Sequence, residues 1–121
     1  MARIVVEDQD IVVRLAWWER LAARRREVRV PVSALRLAHI EPDWWRALRG
    51  EPGEGVWNPG RCVGTRHLPD GNDFVAVRAD RPVLCVELRR GAPFRRLAAS
   101  VPRPEETLRA LLPLVPEDRL E

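Results

Sequence analysis

Short β-branched runs, each closed by turn chemistry before it can lengthen, are what most constrain this chain. Residues 3–7 (RIVVE) and 11–15 (IVVRL) flank Asp8, Gln9 and Asp10, a hairpin signal of strand formers around an acidic turn. Residues 27–32 (EVRVPV) alternate as a strand, with Pro31 marking an edge or a bend. Residues 35–41 (LRLAHIE) alternate again, which predicts Leu35, Leu37 and His39 on one face and Arg36, Ala38 and Ile40 on the other. Residues 61–67 and 73–79 surround a turn from Leu68 to Asn72 with Asp70-Gly71 at its centre. Residues 83–89 (VLCVELR) are the most apolar run and read as a central strand. Residues 94–101 follow the turn at Gly91, Ala92 and Pro93 and complete a meander.

Two stretches change period. In residues 16–26 (AWWERLAARRR), Leu15, Trp18, Leu21, Ala22 and Arg25 fall at helical spacing. Arg24, Arg25 and Arg26 then sit in the last turn, the sign that suits a helix C-terminus. Near the end, Pro104 suits a first helical turn, and Glu105 and Glu106 complement its positive end. Leu108, Leu111, Leu112 and Val115 give one apolar stripe, so a helix is expected over residues 103–115, limited by Pro113, with the tail from Pro116 fraying. A chain of 121 residues is the size of one domain. The expected architecture is mostly β, of α+β type: a β-rich body over residues 1–101 and the closing helix. About seven strands would form a bent antiparallel sheet or partly open barrel whose mouth that helix covers.

The least routine stretch is residues 41–65, EPDWWRALRGEPGEGVWNPGRCVGT. Asp43 reads as an N-cap, residues 44–48 as one or two helical turns, and Gly50, Gly53, Gly55 and Gly60 as a loop. No Lys-Ser/Thr follows the glycines and no helix, so the stretch lacks the context of a phosphate-cradling loop. Adjacent tryptophans cannot both face a core. One of Trp44 and Trp45 is expected near the surface, and likewise one of Trp17 and Trp18. Trp44, Trp45, Arg49 and Trp57 form a candidate interaction patch.

Hydrophobic content of 45% with 32% charged residues fits a folded globule. Cys62 and Cys85, both in apolar runs, read as packed reduced thiols of a cytoplasmic protein. The start, MARIVVEDQD, lacks a signal-peptide core, and no apolar run reaches the roughly 18 residues of a membrane span. The expected location is cytoplasmic, with peripheral docking at the inner face of the membrane kept open. Every basic residue is Arg, and the net charge is only +3, so clustering matters more than the total. Arg89, Arg90, Arg95 and Arg96 flank the turn at Gly91 and make a basic hairpin tip, a candidate anion-binding site that Arg24, Arg25 and Arg26 would extend.

Catalysis finds little support. Ser33 and Ser100 sit in no nucleophile elbow. Cys62 with His67, or Cys85 with His39, would pair thiol and imidazole, but apolar surroundings raise a thiol's pKa. The two Cys and two His lack zinc spacing. Neither a metal nor another cofactor is expected. The chain reads as a non-enzymatic binding module, first for protein contact through the Trp-rich face. The alternative is docking on an anionic lipid surface through the Arg-rich hairpin. Nucleic acid ranks lower, because no aromatic beyond Phe94 interleaves with the arginines. Homo-oligomerisation stays open.

A resemblance adds to this. Residues 14–35, a short helix followed by EVRVPVSAL, resemble the helix-then-strand segment of bacterial pleckstrin-homology-like proteins. The stretches EPDWWRALRG, PGEGVWNPG and GT, followed by DFVAV, PVLCVEL and FRRLAASV, are similar to small actinobacterial proteins of unknown function. The likeness runs over nearly the whole chain and is most specific from Leu48-Arg49-Gly50 to Gly64-Thr65. It implies a pleckstrin-homology-like barrel that binds lipids, peptides or proteins, and it carries over no catalytic residue.

Overall fold

The first two strand runs pair as expected, but across a tighter turn. β1 (Arg3–Glu7) and β2 (Asp10–Arg14) are antiparallel and joined by Asp8 and Gln9 alone. Both residues have positive φ, 52° and 66°, as in the type I′ turn whose twist matches a hairpin. Asp10 therefore belongs to the strand. β3 (Glu27–Pro31) pairs with the far side of β2 to complete a three-stranded sheet. The structure, a computed structural model, describes residues 1–116, so the tail expected to fray lies almost wholly outside the described residues.

The second sheet holds β4 (Leu35–Glu41), β5 (Glu51–Trp57), β6 (Arg61–Leu68), β7 (Gly71–Arg78), β8 (Val83–Leu88) and β9 (Arg96–Ala99). Their spatial order is β4-β8-β9-β7-β6-β5. The expected meander is thus broken at its end. β9 inserts between β7 and β8, parallel to the first and antiparallel to the second. Its Leu97, Ala98 and Ala99 are buried, and such a short strand of mostly small side chains fits the crowded middle of a sheet. The Arg95 N–H donates to the Asn72 carbonyl at 2.7 Å and the Ser100 N–H to that of Ala76 at 3.0 Å, which pins both ends of the insertion.

Two strands depart from their sequence reading. The glycine stretch is not a loop but contains β5, an edge strand paired with β6. Gly55 lies opposite Gly64, and the missing side chains let the two backbones close: a Cβ on Gly64 would stand 2.3 Å from the Glu54 carbonyl oxygen. In β4 the register shifts between Leu35 and Leu37, so Arg36 occupies a bulge. A one-residue offset exchanges faces. Leu35, Ala38 and Ile40 join the core, while Leu37 and His39 lie on the other side.

α1 (Trp17–Ala23) is shorter than the expected 16–26 because Arg24 adopts a left-handed conformation, φ 54°, and ends it. The arginine triplet therefore lies at and beyond its end rather than in its last turn. Leu15, Trp18 and Ala22 of the expected stripe pack inward, joined by Glu19 and Ala23, whereas Leu21 of that stripe is exposed. α2 (Pro104–Leu111) gives way to a 3-10 turn at Leu112–Leu114, since Pro113 cannot donate a helical hydrogen bond. Leu108, Leu111, Leu114 and Val115 pack inward and Leu112 turns out, a correction to the single helix and stripe expected over 103–115.

The main core fills the space between the inner faces of the two sheets, with α1 and α2 at its margins. Phe74, Leu84, Val86 and Leu97 from the large sheet meet Ile11, Val13, Val28 and Val30 from the small one. A second cluster, Val75, Val77, Val83, Cys85 and Ala98, lies on the outer face of the large sheet. It is covered by a 3-10 turn at Trp44–Ala47, where one or two helical turns were expected, and by Leu48 and Trp57. The architecture is mostly β, with two helices and sheets that do not close into a barrel. No described helix is long and apolar enough to cross a membrane.

Candidate anion-binding site

The hairpin linking β8 to β9 is held at its neck by backbone bonds. The Leu88 N–H donates to the Arg95 carbonyl at 2.9 Å and the Arg89 N–H to that of Ala34 at 2.8 Å. The second bond draws the start of β4 against the hairpin. Since the bulge in β4 falls there, Arg36 is carried to the same place. Arg36, Arg89, Arg90 and Arg95 together line one open cleft of about 500 Å3.

Arg36 and Arg90 are exposed and have no ion-pair partner among the described residues. Arg95 approaches Asp70 at 3.6 Å. Phe94 is buried at the hairpin's base, edge-on to Phe74 with ring centroids 5.9 Å apart. The Arg25 guanidinium lies 5.2 Å from the Phe94 ring centroid, so the segment after α1 abuts the hairpin. The two basic clusters of the sequence thus become neighbours. Guanidinium forks with one shared opening suit phosphate or carboxylate oxygens, each held by paired N–H donors.

Arg96, expected beside them, does not join the cleft. It is a β9 residue on the outer face of the large sheet, where its Nε donates to the buried Glu87 carboxylate at 2.8 Å. Glu87 also meets the His39 ring at 3.0 Å. On the same face Arg49 binds the fully buried Asp73 with two hydrogen bonds, 2.6 and 3.0 Å. The bond to Asp73 raises the Arg49 pKa against the opposing effect of burial. Arg66 locks the Arg49–Gly50 backbone from the other side, donating to both carbonyls at 3.0 and 2.9 Å.

The expected Trp patch is largely committed to that same construction. Trp44 and Trp57 pack on the outer cluster, and the Trp57 indole N–H donates to the Gly53 carbonyl at 2.9 Å. Arg66 stacks 5.0 Å from the Trp57 ring centroid. Trp45 alone of the set is exposed, at 56%, with Arg46 over its ring. The other outward tryptophan is Trp17, so each adjacent pair has one exposed member.

Neither thiol is placed for nucleophilic work. His39 lies directly across from Cys85, but its bond is to Glu87, and burial pushes the Cys85 thiol up to about 12. Cys62 is also raised by burial, and its odd offset of five positions from His67 along β6 puts the two on opposite faces. Among the described residues no three His, Cys, Asp or Glu side chains cluster as a metal site would require.

Sequence reasoning missed Arg36, because neither a bulge nor its neighbour in space can be read from an alternating run. It also missed the Arg25–Phe94 contact that joins the basic segments. No family model matches this chain, and no curated protein or solved structure is detectably similar to it.

Proposed function

We propose that this chain is a non-catalytic binding module, of pleckstrin-homology-like build, that docks on an anionic membrane surface through its arginine cleft. The observation that carries this reading is the convergence of Arg36, Arg89, Arg90 and Arg95 on one opening, with Arg36 and Arg90 free of carboxylate partners among the described residues. Each basic residue near an anionic bilayer contributes about 1 kcal/mol, so even two arginines bias the protein to the surface. Single-stranded nucleic acid is less well served, because Phe94 is buried and offers no face for a base to stack on. The bent two-sheet body and closing helix favour the pleckstrin-homology-like reading; the parallel insertion of β9 is its main departure from a simple meander. Contact with a protein through the Trp face is the second reading, and the exposed Trp45 with Arg46 is what favours it. On the first reading the protein works at the cytoplasmic face of the membrane.

The test is flotation with phosphatidylcholine vesicles, with and without phosphatidylserine, at low and moderate salt. The wild type is expected to float only with the anionic vesicles and to come off as salt rises. Arg36→Ala with Arg90→Ala removes two exposed charges, unpaired among the described residues, without touching the core. At about 1 kcal/mol each, the pair should weaken binding about 30-fold. Failure of the wild type to bind anionic vesicles at low salt would sink the reading.

A further inference from the structure

α1 is oriented against the usual rule of burial. Glu19 is 1% exposed, whereas Trp17 and Leu21 are 73% and 72% exposed. The local cause is the capping geometry: the Glu19 carboxylate reaches back to accept from the Ala16 N–H at 2.7 Å, which turns that side of the helix inward. With Trp18 and Ala23 also packed inward, the opposite side must carry Trp17, Arg20, Leu21 and Arg24. Trp17 and Leu21 stand one turn apart and form an apolar ridge that no described part of the chain covers.

The surroundings of the ridge say what would cover it. Arg20, Arg24, Arg25 and Arg26 are all exposed around its C-terminal half. Among the described residues the one carboxylate paired with any of them is Glu54, at 3.7 Å from Arg24. Arg25 in turn rests on Phe94, at the base of the arginine hairpin. An indole and a leucine framed by guanidinium groups match the headgroup region of an anionic bilayer, where apolar tips enter the acyl boundary and arginines stay level with the phosphates.

We infer that Trp17 and Leu21 insert into the interfacial layer of the anionic membrane to which the arginine cleft docks, an inference that rests on the membrane reading of that cleft. Guanidinium groups attract the protein from a distance; the ridge holds it by burying apolar surface. The two contributions differ in their response to salt, since only the first is screened.

The experiment uses the full chain with phosphatidylcholine–phosphatidylserine vesicles, with and without brominated acyl chains. Brominated chains should quench part of the wild-type tryptophan emission. Trp17→Phe, which keeps an apolar side chain, should still bind but lose that quenching. Trp17→Ser with Leu21→Ser should weaken binding at least about tenfold and make what remains fully salt-sensitive. Both side chains are exposed, and an unchanged thermal melt establishes that these variants fold. If the wild type binds but bromine quenching is the same in Trp17→Phe, or the serine variant binds as tightly as wild type, insertion is refuted while cleft docking stands. If the wild type binds no anionic vesicle, both readings fall together.

Discussion

Removing either partner of the Arg49–Asp73 pair should be costly, and unequally so. Asp73 is fully buried, whereas the Arg49 side chain is 37% exposed. In Arg49→Ala the carboxylate is left without its two guanidinium donors in a place that water does not reach, and breaking a buried pair from that side costs about 3–5 kcal/mol. In Asp73→Ala the guanidinium turns into solvent, so the loss is that of the charge-assisted hydrogen bonding itself, about 1.5–3 kcal/mol. Arg66 still holds the Arg49 and Gly50 carbonyls in both variants, so the damage stays local to the clamp. At this chain length each kcal/mol is worth about 3–6 °C, which puts the Arg49→Ala melt at least about 10 °C below wild type. Urea unfolding followed by tryptophan emission, alongside a thermal melt, would measure both variants. If Asp73→Ala proved as damaging as Arg49→Ala, or Arg49→Ala cost less than about 1 kcal/mol, the asymmetry argued from burial would be wrong.

Two further predictions concern pH. Because the folded Cys85 thiol is pushed up to about 12, the native state keeps a proton that the unfolded chain loses above its ordinary range; stability therefore falls as pH rises from about 8.5 toward 12. Urea midpoints at pH 8 and 10 should converge in Cys85→Val, and in the wild type the same thiol should resist alkylation at pH 8 until the protein is unfolded. At the acid end, Arg14 first and then Arg29 hold Glu7 below the usual carboxylate range. Its contribution is present above that range and is lost as pH falls through the lowered value, so Glu7→Gln should flatten the acid limb of the stability profile, and added salt should do the same in the wild type.

What could be read from the sequence was whatever a run of residues decides by itself. β1, β2 and β8 follow from β-branched runs, and the adjacent tryptophans imply an inside and an outside for each pair. What escaped reading depends on a second strand. The glycines of β5 give no strand signal alone; pairing with β6 makes the strand, and close approach to Gly64 is the reason for the glycine at 55. The bulge at Arg36 reverses every later residue of β4, which is why alternation misplaced Leu37 and His39. The expected Arg89–Arg96 cluster failed at its last member for a related reason. Arg96 is already inside β9, where its register partners are Asp73 and Glu87, and a buried carboxylate decides where it points.

The small net charge conceals how the charge is arranged, and that arrangement follows from the same strand registers. On the outer face of the small sheet Glu7, Asp10 and Glu27 surround Arg29, and Glu7 also takes Arg14; their side chains close over Val12, which is fully buried there. On the large sheet Asp73 and Glu87 are occupied by Arg49, Arg96 and His39. Carboxylates are thus tied up along the flat faces of both sheets, where they neutralise arginines needed for packing. Among the guanidinium groups that no described carboxylate pairs, two stand where strands end and begin and share one cleft: Arg36 at the entry to β4, and Arg90 in the hairpin tip after β8. A net charge of +3 spread evenly would give little attraction to an anionic surface at physiological salt. Arg36 and Arg90 on one cleft at one end of the large sheet, with Arg25 against the same hairpin, are the local arrangement on which the proposed docking rests.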